Sequence, residues 1–162
     1  MDITKFDWNK IESLTDSIAS DIESSGWKPS YIVGIVRGGL VPAVLLSHKL
    51  RVKMHTLGVS LRDGEDTGSE SNLWMPEDVV NGTNILIVDD VNDSGNTLDW
   101  IRTDWYISVA GCKPPCDMWW HDRVRIATVV NNLGSKETVD YCGVNVDKRI
   151  DPRWIVFPWE SK

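Results

Sequence analysis

Chemistry concentrates in one segment, Ile85–Leu98, which reads ILIVDDVNDSGNTL. Its apolar residues bring a strand out of the core, and two adjacent carboxylates, Asp89 and Asp90, stand at the strand's end. Asp93-Ser94-Gly95-Asn96-Thr97 follows at the entry to a helix. Small residues there let successive backbone N–H groups converge on an anion, and the helix dipole adds favourable partial charge. The hydroxyls of Ser94 and Thr97 add donors. The segment therefore offers an anion cradle beside a pair of carboxylates. A phosphorylated sugar needs both: donors for its phosphate and acceptors for its hydroxyls.

The elements around this segment alternate between strand and helix. Trp8, Ile11, Leu14, Ile18 and Ile22 recur at helical spacing, so residues 8–25 form an amphipathic helix with Asp7 as its cap and Gly26 just past its end. Tyr31–Val36 (YIVGIV) is a buried strand that runs into a glycine loop, Arg37-Gly38-Gly39. Leu40–Leu50 reads as a helix with Pro42 in its first turn. Lys53–Leu61 is a second strand, Asn84–Asp90 a third, and a helix starts near Leu98 with Leu98, Ile101 and Trp105 on one face. Val124–Val130 is a fourth strand, Val139–Val146 contains a fifth, and the chain ends through Trp154–Trp159. Residues 62–77 (RDGEDTGSESNLWMPE) lack periodicity and are expected to form a loop that is mobile or functional. Residues 109–122 (VAGCKPPCDMWWHD) read as an irregular insertion.

This alternation predicts an α/β fold with a mostly parallel twisted sheet and helices on both faces. Ligands of such sheets bind beyond the carboxyl ends of the strands, where VRGG and DDVNDSGNT both fall.

Composition agrees with one globular domain over residues 1–162: 41% of residues are apolar and 25% are charged. The net charge is −7, which phosphate-rich nucleic acid repels, so no nucleic-acid partner is expected. Three Cys make no disulfide framework, and MDITKFDWNK has no signal-peptide pattern, so a cytoplasmic location is expected. No apolar run approaches the roughly 20 residues of a membrane span. Cys112, Cys116, His121 and Cys142 could ligate zinc, but C-x3-C-x4-H is irregular spacing, and a surface loop anchored by Trp119 and Trp120 is the plainer reading.

IVDDVNDSGNT resembles the PRPP-binding signature of type I phosphoribosyltransferases, and the likeness fixes residue types at about a dozen adjacent positions. YIVGIVRGGLVPAVLLSHKL looks like the first strand, pyrophosphate loop and helix of bacterial xanthine–guanine phosphoribosyltransferases. DPRWIVFPWE resembles their C-terminal purine-pocket segment. The likeness is weak over 62–78 and absent over 99–122.

The resemblance implies the type I fold, with a small hood over about 145–162 and a flexible lid over about 62–77. It implies Mg2+ as cofactor, PRPP and a purine base as substrates, and a homodimer or homotetramer. It places Asp89 and Asp90 at the ribose hydroxyls and the magnesium shell, directly or through water. Asp93 becomes the acid/base near the purine ring nitrogen, and Ser94, Gly95, Asn96 and Thr97 hold the 5′-phosphate. Arg37 and Gly38 meet the pyrophosphate. Trp154 stacks on the purine and Ile155 reads its edge through main-chain groups, whereas Trp159 and Trp8 are expected in the core.

Two departures bear on specificity, at Asn132 and Val156, and a third, in the lid, bears on the pyrophosphate clamp. Asn132 aligns where the family carries a Lys for the 6-oxo group, and Asn can both donate and accept. Val156 replaces an acid, and residues 63–77 contain no Lys or Arg. The expected activity is transfer of 5-phosphoribosyl to a 6-oxopurine (guanine, xanthine or hypoxanthine) in purine salvage. The alternatives are adenine as the base, or a PRPP- or nucleotide-binding regulator of the same fold. Asp93 favours the enzyme, because binding alone needs no proton-transfer group.

Overall fold

The computed structural model describes residues 2–109 and 119–160. Five strands form the main sheet: β2 (Tyr31–Val36), β3 (Met54–Gly58), β6 (Ile85–Asn92), β7 (Val124–Asn132) and β8 (Tyr141–Val146). Their order is β3-β2-β6-β7-β8, and every pairing is parallel. Taken in chain order this is a 2-1-3-4-5 sheet, whose connections reverse direction between β2 and β6. A crevice opens at such a reversal, outside the carboxyl ends of the two strands. The pairing of β2 with β6 stops at Gly34↔Val88, and from there the two chains diverge. Arg37-Gly38 leaves one side of the opening and Asp89-Asp90 the other.

Alternation along the strands sorts side chains onto two faces. Val33, Ile35, Ile85, Ile87 and Ile126 pack with Met75 and Val79 of α3 (Trp74–Val80) and Leu98, Ile101 and Trp105 of α4 (Asn96–Ser108). Ile32, Leu86, Val88 and Ala127 pack on the other face with Ile18 and Ile22 of α1 (Trp8–Ser24) and Ala43 and Leu46 of α2 (Leu40–Leu50). Asp7 caps α1 by accepting from the Lys10 amide at 2.8 Å, as its sequence position suggests.

Two short ribbons complete the fold. β1 (Ile3–Lys5) pairs in parallel with β9 (Trp154–Val156), and this hood packs through Phe157, Ile155 and Phe6 onto Ile11, Leu14, Val129 and Val130. β4 (Leu61–Arg62) and β5 (Glu65–Asp66) form an antiparallel hairpin within the segment expected to be a loop. That segment also contains the start of α3, where Met75 and Pro76 are buried. One turn is too short to show periodicity, so sequence pattern alone did not reveal it. Trp8 departs from its expected core position: it is 56% exposed in the first turn of α1, its ring 6.0 Å from that of Trp159. Trp119 and Trp120 are buried, as expected of anchors. Cys112 and Cys116 lie outside the described residues, among which no group of three or more His, Cys, Asp or Glu is placed to hold a metal. Among the described residues, no helix is long and apolar enough to cross a membrane.

Candidate active site

β6 carries the site because it is the central strand and its end lies at the topological reversal. The turn Asp93–Thr97 leaves it and enters α4, whose N-cap is Gly95 at φ 89°. This left-handed conformation suits glycine, and an added Cβ would also lie 2.7 Å from Ser135 Oγ and 2.9 Å from the Glu137 amide nitrogen. With no side-chain cap, the first-turn N–H groups remain available to an anion. Ser94 Oγ accepts one contact, a long one of 3.3 Å from the Asn96 amide. Residues 89–98 and Thr128 line a cavity of about 210 Å³ here, and the Thr128 hydroxyl is buried without a partner among the described residues. The loop after β7 backs the turn: the Lys136 amide donates to the Ser94 carbonyl at 3.2 Å.

Asp89 borders this cavity with protein packed around its other sides. Burial, reinforced by the charge of Asp90, pushes its carboxyl well above the usual carboxylate range. Asp90 is raised as well, chiefly by burial, with Glu160 contributing. The folded protein therefore binds more protons than the unfolded chain above the ordinary aspartate value of about 3.9. Stability of the metal-free protein falls as pH rises through that window toward the raised values. Asp89→Asn removes the penalty. It is expected to raise the Tm of the metal-free protein at pH 8. The gain should disappear near pH 4. Thermal unfolding in a chelator checks this, and equal Tm values for the two proteins at pH 8 would refute the burial argument.

Two carboxylates that resist ionisation side by side form a site that gains from a divalent cation. Oxygen donors suit magnesium, which is commonly held by one or two carboxylates together with substrate phosphates. Asp89 and Asp90 fit that pattern.

A second cleft, of about 790 Å³, is lined by Arg37, Gly38, Asp90, Trp154, Trp159 and Glu160, among others. Asp90 lines both cavities, so they adjoin at this residue. Gly38 lies so close that an added Cβ would fall 1.9 Å from Asp90 Oδ2. Trp154 is 47% exposed and presents its ring to the cleft, while Trp159 is half-buried and stacks on Phe157 at 4.8 Å. Ile155 does not point there: its side chain packs under the hood and lines another cavity with Thr4, Phe6 and Lys10. Its main chain is placed differently. The Trp154 amide donates to the Asp2 carbonyl and the Val156 carbonyl accepts from the Phe6 amide. By the alternation of a parallel ladder, the N–H and C=O of Ile155 face away from β1.

Asp93 joins these parts. Its Oδ2 accepts from Lys148 Nζ at 2.8 Å and its Oδ1 from Asn132 Nδ2 at 3.2 Å. Lys148 Nζ also lies 5.2 Å from the centre of the Trp154 ring. Sequence reasoning missed Lys148. It sits in a turn between β8 and β9 where spacing carries no signal, although VDKRID directly precedes the purine-pocket segment.

A doubly wound parallel sheet with a small-residue turn, paired acids and a glycine loop at its reversal is the arrangement that the sequence resemblance implies. Residues 6–162 match the phosphoribosyl transferase domain family, and the chain belongs to it. It is 29% identical over 161 residues to a xanthine-guanine phosphoribosyltransferase of Cereibacter sphaeroides, covering 94% of this chain and 84% of that one. The structure superposes on a purine phosphoribosyltransferase from Pyrococcus horikoshii with a TM-score of 0.73 and 26% identity, covering 100% of this chain and 97% of that one. A Helicobacter pylori xanthine-guanine-hypoxanthine phosphoribosyltransferase shares the fold at a TM-score of 0.66 and 17% identity, covering 96% of this chain and 92% of that one. The fold expected from the sequence, the type I phosphoribosyltransferase fold, is the one found.

Proposed function

We propose that this protein transfers the 5-phosphoribosyl group of PRPP to a 6-oxopurine, releasing pyrophosphate and a nucleoside 5′-monophosphate. The observation that carries this reading is the position of Asp90, which joins the anion-binding turn to the cleft holding Trp154 and Arg37. A ribose phosphate spans such a junction with its phosphate in the turn, its hydroxyls on the acids and its C1′ toward the base.

In this reading the N–H groups of Asn96 and Thr97, with the Ser94 and Thr97 hydroxyls and the space left by Gly95, take the 5′-phosphate. Asp89 and Asp90 accept from the ribose 2′- and 3′-hydroxyls and hold magnesium, which neutralises pyrophosphate charge when bound. The Arg37 guanidinium and the Gly38 N–H meet the leaving pyrophosphate, where a planar fork suits two phosphate oxygens. A ring nitrogen of the purine forms the new bond to C1′ as the bond to pyrophosphate breaks. Asp93 takes the proton that the base must lose. Trp154 stacks on the purine and the free main-chain groups of Ile155 read its edge. The hairpin β4–β5 lies beside the turn, with Gly64 close to Asn96, and closes over the substrates to exclude water. A homodimer or homotetramer, supported by the family resemblance, belongs to the same proposal.

The test is incubation with PRPP, magnesium and guanine, hypoxanthine, xanthine or adenine separately, measuring pyrophosphate. Release is expected with 6-oxopurines and not without a base. PRPP binding with no release for any base would instead favour the regulatory reading.

A further inference from the structure

Asn132 stands where the sequence comparison expects the group that reads the purine's 6-substituent, yet its side chain is fully engaged. Its Oδ1 accepts from the Gly134 amide at 3.1 Å and from the Lys148 amide at 3.2 Å. Both partners are backbone donors, which fixes which side of the amide is oxygen. Its Nδ2 donates to the Asp93 carbonyl at 3.1 Å and to Asp93 Oδ1 at 3.2 Å. Two lone pairs and two hydrogens exhaust what an amide offers. At 9% exposure, Asn132 has no hydrogen-bonding capacity left for a ligand without giving up one of these bonds. What it does is hold Asp93 and the Lys148 backbone in a fixed relation.

Lys148 has the opposite character. Its ammonium makes one ion pair, to Asp93 at 2.8 Å, and sits over the face of Trp154. The turn that presents it is fixed: the Ile150 and Asp151 amides donate to the Asp147 carbonyl, and the Arg149 side chain and amide close onto the Asp147 carboxylate. The side chain is 22% exposed.

Purine geometry connects these facts. N7 and the 6-substituent lie side by side on one edge of the ring, and in 6-oxopurines the 6-substituent is an acceptor, whereas in adenine it is a donor. A base stacked on Trp154 with N7 toward Asp93 must bring its 6-substituent beside the cation that already touches Asp93. A base stacked on the ring face that Lys148 now covers would have to displace the ammonium toward the ring's edge.

We propose that Lys148, supplied by the hood rather than by the end of β7, is the residue that selects a 6-oxopurine, with Asn132 as its positioning residue. This rests on the proposed function and names how its base is chosen. An ammonium has donors and no acceptor, so it pairs with a 6-oxo group and opposes a 6-amino group.

Steady-state kinetics on Lys148→Met and Lys148→Gln test this, with hypoxanthine, guanine and adenine at saturating PRPP and magnesium. Lys148→Met is expected to lower kcat/KM for hypoxanthine and guanine by about 10- to 100-fold, the worth of a charge-assisted hydrogen bond. KM for PRPP should change by less than about threefold. Lys148→Gln can accept from an amino group, so the preference for hypoxanthine over adenine should narrow by about tenfold or more. Lys148→Arg, which keeps charge and donors, should retain the preference. A merely structural role would lower both bases alike and leave their ratio unchanged, and that result in Lys148→Gln overturns the assignment. An active parent enzyme with unaltered hypoxanthine kinetics in Lys148→Met overturns it too and leaves the proposed function standing. A parent inactive with every base overturns the proposed function, and the assignment with it.

Discussion

Asp93→Asn is expected to lower kcat for any accepted purine by about 10²- to 10⁴-fold, the usual worth of a positioned proton acceptor. PRPP affinity should stay within about threefold, because the carboxylate of Asp93, a residue that lines the turn cavity, is turned to Lys148 and Asn132. The variant keeps the size of the side chain and removes the charge. It also sets an NH2 against either Lys148 Nζ or Asn132 Nδ2, both donors, because the two carboxylate oxygens now accept from those groups separately. That local cost of about 1–3 kcal/mol falls on the contacts with Lys148 and Asn132. Separate measurement of PRPP binding by calorimetry and of kcat distinguishes the two effects. A fall in affinity as large as the fall in turnover would remove Asp93 from proton transfer and make it a binding residue.

Gly38→Ala is the second substitution with a large expected effect, and its cause is steric. A Cβ at this position would lie 1.9 Å from Asp90 Oδ2, far inside any allowed contact. Either the Asp90 carboxylate swings out of the junction or the glycine loop withdraws from it. In both cases the acid proposed for the ribose and the N–H proposed for the pyrophosphate lose their mutual placement, and a displacement of about 1 Å commonly costs around 100-fold in rate. We expect kcat/KM for PRPP to fall by at least that factor. The overall fold should survive, because Gly38 lies at the surface of the crevice and not in either helix-packed core. Circular dichroism with initial-rate kinetics checks both parts; near-normal kcat/KM would show that Asp90 and the loop act independently.

Much of this was legible in the chain because it rests on local rules. The continuous apolar runs YIVGIV and ILIV specify strands buried on both faces, and these two strands lie within two residues of the expected positions. The turn Asp93–Thr97 was legible because a tight strand-to-helix turn needs small residues and a conformation that Gly95 supplies. Other features depend on distant partners. β1 is three residues long and exists through its pairing with β9, at the opposite end of the chain. Trp8 keeps helical spacing with Ile11, but it stands in the first turn, beyond the reach of the sheet, and meets Trp159 at the surface instead. The hairpin of β4 and β5 and the short helix Trp74–Val80, which overlap 62–77, lack the length that would give them a period. Lys148 carries no motif at all: only the folded turn brings it to Asp93. Asn132 was placed in the site by alignment, and its four hydrogen bonds became visible only when its neighbours did.

The central claim is that the turn after β6 holds the phosphate while the acids at the strand's end hold the pentose and Trp154 the base. A crystal structure with guanosine 5′-monophosphate tests it most directly. The account predicts the phosphate on the N–H groups of residues 94–97, the ribose hydroxyls on Asp89 and Asp90, and guanine stacked on Trp154 with its 6-oxo group at Lys148. A nucleotide bound with its phosphate away from that turn, or with its base elsewhere than on Trp154, would contradict it.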